Sequence, residues 1–196
     1  MEQTREEIAV HEAGHCIAAV LLLRIPERVS IVPDNSTGGR TFGLTEWLHF
    51  VRVSADRGET DTAKRLADCQ AFVCAAGQVA VEAVFGIGND PTRHGIDDDI
   101  AMEALEIAYG SYEAMYRYME ILGDAGLIFA DADVIAAVQL AAQELLMRRE
   151  VDDCDSVWRK IIKLLKRSRR HTYADMVQLF KRRERARIRK NGLRSG

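Results

Sequence analysis

Residues 8–21 set two histidines and a glutamate, His11, Glu12 and His15, among Ile8, Val10, Ile17, Ala18, Val20 and Leu21. Nothing else in the chain constrains its folding as much. Thr4 to Leu23 reads as a first helix, with Glu6 and Glu7 near its positive end and Pro26 stopping it. A helix this apolar is buried, and polar groups buried with it need partners. His11 and His15 stand four residues apart, so both imidazoles share one face, a turn apart. His11-Glu12-Ala13-Gly14-His15 is the HExxH pattern, whose histidines suit two positions of a tetrahedral zinc ion at about 2.0–2.1 Å. Glu12 lies roughly 100° round the helix. From there it reaches a water at the metal and can take its proton, without being a natural third ligand. The plainer reading, an exposed histidine pair beside an incidental glutamate, conflicts with the apolar flanks.

A catalytic zinc takes three protein ligands and keeps one position open. The extended HExxHxxGxxH pattern fails here, because Ala18 and Leu21 occupy its Gly and His places. Glu82, His94, Asp97, Asp98 and Asp99 are the candidates, with His49 and His171 as outsiders. Asp97 and Asp98 are better read as carboxylates that cap a helix start and suit its dipole. Spacing alone does not choose between Glu82 and Asp99. His94 reads first as an exposed loop histidine, and second as a cleft residue assisting an oxyanion. Cys16, Phe85 and Tyr109 read as core.

Patterning predicts a mainly helical fold with one small β-hairpin. Arg28–Pro33 alternates and is β-branched, Asp34–Gly39 is a turn, and Arg40–Glu46 returns as a second strand. Trp47–Glu59 reads as a poorly defined loop. Helices are expected over 60–85, 97–109, 111–122, 131–149, 156–167 and 173–187. Residues 1–125 form one expected domain and 126–196 a basic helical extension packed on the same core.

Four cysteines without a CxxC pair, and an acidic, polar N-terminus, point to free thiols in a reducing cytoplasm and to no signal peptide. No apolar run approaches the 18 residues of a membrane span. The net charge of −3 hides a split: residues 1–147 carry 10 Lys and Arg against 24 Asp and Glu, and residues 148–196 carry 17 against 6. The basic arm reads as a helical hairpin packed on the acidic body, or as a docking arm for a partner. The tail after Lys181 lacks stacking aromatics, so specific nucleic-acid reading is not expected.

With these motifs in view, the chain resembles the peptidase domain of FtsH-type AAA+ zinc metalloproteases, a zincin-like fold. The resemblance runs over about residues 5–120. It rests on Val10–His15, Arg28–Pro33, Gly39–Gly43, Ala76–Gly86 and Gly95–Ile100, in the family's order. It implies one zinc per chain held by His11, His15 and Asp99, with Glu12 as catalytic base. It places Glu82 on the helix lining the site, either bonded to a ligand imidazole or as a structural carboxylate. It sets the strand with Thr41, Gly43 and Thr45 at the cleft rim, where an extended substrate can add. The family's transmembrane segments and ATPase module have no counterpart, and no GxxxxGK[ST] occurs. The implied activity is therefore hydrolysis of peptide or unfolded protein, ATP-independent in itself, with a separate ATPase or a homo-oligomer as conceivable partners. A catalytically silent, zinc-stabilised binding module that recruits a partner through the basic arm is the other expectation. A metal hydrolase for a non-peptide amide is a third.

Overall fold

The computed structural model describes residues 4–22, 26–32, 40–42, 46–86, 95–152 and 155–168. The elements run α1 (Arg5–Leu21), β1 (Arg28–Ser30), β2 (Arg40–Phe42), α2 (Glu46–Asp56), α3 (Thr60–Phe85), α4 (Ile96–Tyr109), α5 (Ser111–Phe129), α6 (Ala132–Arg148), β3 (Glu150–Asp152) and α7 (Ser156–Ser168). The fold is mainly helical with a small antiparallel sheet.

Helix α1 starts on a capping box: Thr4 Oγ1 accepts from Glu7 N at 3.1 Å, and Glu7 Oε2 accepts from Thr4 N at 2.7 Å. It then lies against α3 over much of its length. Gly14 makes that approach close, since a Cβ there would stand 2.4 Å from the Ala76 carbonyl oxygen and 2.7 Å from Ala80 Cβ. α3 is the one described helix long and apolar enough to cross a membrane, although no uninterrupted apolar run of that length exists in the sequence. Two thirds of its most apolar stretch is buried by the protein itself, as suits a central core helix. It is tied to α4 and α5 through Asp68, which accepts from Tyr109 Oη at 2.9 Å and from Arg117 Nη2 at 2.6 Å.

Three elements differ from the sequence reading. Trp47–Glu59 is largely helix α2, because Trp47, Val51 and Ser54 follow helical spacing and turn into the core. α5 runs past Leu122 to Phe129, with Ile121, Ala125, Ile128 and Phe129 carrying its buried stripe while Gly123 and Gly126 lie on the exposed side. The sheet has a third strand: β1 pairs with β2 (Val29 opposite Thr41) and with β3 (Val29 opposite Val151). β3 forms because Arg149, at φ 68, turns the chain sharply out of α6. Trp158 Nε1 then donates to the Asp152 carbonyl at 2.6 Å and seats α7.

The division at residue 125 falls inside α5, and one hydrophobic core runs from Ala9 to Leu165 across it. The expected helix 173–187 lies outside the described residues. Cys16 is core, and Tyr109 is partly buried; Phe85, read as core, is instead 42% exposed at the C-terminal end of α3.

Candidate metal centre

Three donor atoms converge between α1, α3 and the start of α4. His11 Nε2 and His15 Nε2 lie 3.0 Å apart. Asp97 Oδ2 is 3.0 Å from the first and 3.3 Å from the second. The rings stand at 87° to each other with centroids 4.6 Å apart, so their edges rather than their faces meet.

The third donor atom of the cluster comes from Asp97, and this corrects the expectation for Asp99. α4 begins at Ile96, so residues 97 and 99 sit about 200° apart around its axis. Asp97 continues the buried stripe of Ala101, Ala104 and Leu105, whereas Asp99 falls in line with exposed Glu103 and Glu106. Neither Asp97 nor Asp98 caps the helix. The N-cap is Gly95, without a side-chain cap. Asp98 Oδ1 accepts from Tyr118 Oη of α5, which holds the first turn of α4 in place.

The surroundings orient the rings. His15 Nδ1 donates to the Val73 carbonyl at 2.8 Å, which leaves its Nε2 lone pair facing the other two donors. α3 passes the rings as bare backbone at Gly77. A Cβ there would lie 2.7 Å from Cε1 of both rings and from His15 Nε2. Val73 and Gly77 were not singled out from the sequence. A glycine inside an alanine-rich helix, at a cost of about 1 kcal/mol, was the available sign of a close approach.

The remaining candidates stay apart from the cluster. Glu82 Oε1 accepts from Gln78 Nε2 at 3.3 Å and does not reach an imidazole, while His11 Nδ1 is buried without a partner among the described residues. His49 is exposed on α2 with its ring near Phe50. Thr41 lies on β2; Gly43, Thr45, His94 and His171 lie outside the described residues.

The cluster fits a divalent cation by its own geometry and chemistry. Ligand atoms of a tetrahedral zinc with bonds of about 2.0–2.1 Å stand about 3.3 Å from one another, close to the separations here. Two imidazoles and one carboxylate also match the borderline donor set that zinc prefers. Cys74 does not compete as a thiolate. Burial, reinforced by the Asp97 charge, pushes its thiol up to about 12.

Without a metal, charge holds the cluster together. Burial disfavours protonated His15, but the charge and hydrogen bond of Asp97, helped by Glu12 and the Val73 carbonyl, outweigh it and raise the pKa to about 9. Burial likewise disfavours ionised Asp97, yet His15 and His11 hold it well below the usual carboxylate range. Folding stability from His15 is therefore complete below its ordinary 6.5 and fades as pH rises through about 9. Stability from Asp97 is present above its ordinary 3.8 and is lost only in stronger acid. A metal entering at pH 7 must displace the His15 proton. The expected result is release of about one proton per zinc bound, read by calorimetry in buffers of differing ionisation enthalpy. Binding without proton release at pH 7 would remove His15 from the ligand set.

No protein-family model and no curated protein matches this chain.

Proposed function

We propose that this chain is a zinc-dependent metalloendopeptidase of the zincin-like, FtsH-peptidase type, with His11, His15 and Asp97 holding the metal and Glu12 as general base. The observation that carries the reading is the mutual approach of His11 Nε2, His15 Nε2 and Asp97 Oδ2 within 3.3 Å. Such a pair of close rings and a carboxylate is common to structural and catalytic sites. What favours catalysis is Glu12, a buried carboxylate on the next position of the same helix, acting electrostatically on His15.

Zinc, when bound, supplies a Lewis acid that polarises a peptide carbonyl and makes water a better nucleophile near neutral pH. The chain's own groups do the rest. Asp97 and the two rings fix the position of attack. Glu12 accepts the proton of the attacking water and returns it to the leaving amine. The Val73 carbonyl keeps His15 in the tautomer that leaves Nε2 free to bind. β2 is an edge strand of the sheet and packs near α1. An extended substrate can add along it through backbone hydrogen bonds.

The test is hydrolysis of an unfolded, casein-like protein by the full chain. Cleavage is expected with one zinc per chain, abolished by a chelator and restored by zinc. Stoichiometric zinc binding with no cleavage of any unfolded protein or peptide would support the silent binding module instead. Failure to bind zinc would end both readings.

A further inference from the structure

Asp97 reaches the two rings from the first turn of α4, and that turn has little of its own to hold it. Its N-cap, Gly95, offers no side-chain bond. The Gly95 carbonyl accepts from Asp98 N at 3.0 Å and from Asp99 N at 3.4 Å, the second long for a helical bond. Helix ends fray. A metal ligand, by contrast, must stand in one place before the ion arrives if binding is to be tight.

Tyr118 of α5 supplies a hold from outside the helix. Its ring belongs to the buried stripe of Ala114, Ile121 and Ala125 and is 7% exposed, so packing fixes its direction. Its hydroxyl donates to Asp98 Oδ1. Burial and the Asp98 carboxylate keep the phenol protonated well above its ordinary range, so it stays a donor. α3 closes the same junction: Cys74 lies near enough to feel the charges of Asp97 and Asp98 and to act on Tyr118. Asp97 and Asp98 are neighbours, about 100° apart around the axis. Fixing Asp98 against α5 therefore fixes the rotation of the turn and sets Asp97 toward α1.

We infer that Tyr118 is a positioning residue of the metal centre: acting through Asp98, it holds the first turn of α4 in the rotation that presents Asp97, and not Asp99, to His11 and His15. This rests on the metal reading above and adds the device that selects one aspartate from three. A contrast lies at the other end of the same helix. Tyr109 Oη donates to Asp68 at 2.9 Å, so a phenol is bonded at each end of α4, but only one end carries a ligand.

Zinc titration of the full chain tests the inference. Tyr118→Phe keeps the packed ring and loses the hydroxyl. It should bind zinc about tenfold more weakly than wild type, the near end of what loss of a group behind a metal ligand costs. Tyr109→Phe removes the corresponding bond about 18 Å away along α4. It should change zinc affinity by less than about threefold, as a distant site does. Asp98→Asn and Asp98→Ala lose the same charge, but only the first keeps an acceptor for the phenol. Asp98→Asn should therefore bind zinc about tenfold more tightly than Asp98→Ala. That difference should vanish when Tyr118→Phe is added to both. Equal losses in Tyr118→Phe and Tyr109→Phe would show a general loosening of the bundle and overturn the inference. So would wild-type affinity in Tyr118→Phe, or an Asp98→Asn advantage that persists without the hydroxyl. If Tyr118→Phe does not fold, the two Asp98 variants decide alone, and equal affinities overturn the inference. A wild type that binds no zinc ends the proposed function together with this inference. A wild type that binds zinc, with Tyr118→Phe unaffected, ends this inference only.

Discussion

Glu12→Gln is expected to bind zinc within about tenfold of the wild-type affinity while slowing peptide hydrolysis by about 10²–10⁴-fold. The side chain is only 6% exposed, and the amide keeps its volume and shape, so packing between α1 and α3 should hold. What is lost is the ability to accept a proton at that point. Glu12 also contributes negative charge beside His15, which helps raise the His15 pKa. Removing it should therefore lower the pH at which zinc displaces the ring proton. Zinc titration, calorimetric proton counting and hydrolysis on one preparation separate these effects. Wild-type turnover by the variant would show that another group takes the proton.

The second large effect concerns the third ligand. Asp97→Ala is expected to weaken zinc binding by more than the roughly 100-fold that follows loss of an outer hydrogen-bond partner of a metal site. Asp99→Ala should change it less than threefold, a small effect for an exposed carboxylate on a helix surface. The contrast matters because the two residues are separated by one position and share charge, size and helix. Only the direction of the side chain differs. Asp97→Ala also takes from protonated His15 its hydrogen-bonded carboxylate and leaves only the charge of Glu12, so the metal-free variant should lose most of the stability held below pH 6.5. Equal losses for the two variants, or a larger loss for Asp99→Ala, would overturn the assignment.

The sequence and the structure part at identifiable places. The close pairing of His11 and His15 was legible because a polar motif inside an apolar helix has few physical explanations. The hairpin of β1 and β2 was legible from alternation and from the turn residues between them. Asp97 was missed because the Gly95–Ile100 resemblance aligned the last aspartate with the ligand, and motif matching carries no phase. The phase was nonetheless present: Asp97, Ala101, Ala104 and Leu105 repeat at helical spacing, whereas Asp99, Glu103 and Glu106 form the wet side of the same helix. Helix α2 was hidden because a buried stripe of only Trp47, Val51 and Ser54 is short, and His49, Arg52 and Arg57 make the segment look polar. β3 has no local signature. Three residues form a strand only because β1 offers an open side beside them, and that is a tertiary fact. The glycines of α5 looked like a helix end, but the buried side of the helix does not include them.

The third strand bears on how the chain can be divided. β1 stands between β2, which follows it closely, and β3, which comes from more than a hundred residues later. α6 in turn lies along α1, the helix that carries both imidazoles, and Cys16 shares a small cavity with Leu145, Val151 and Trp158. A chain cut after residue 125 would strip α1 of that cover and leave the middle strand with a bare side. The half that bears the His11, His15 and Asp97 cluster cannot be borrowed as a module: residues far along the chain are the floor on which its first helix rests.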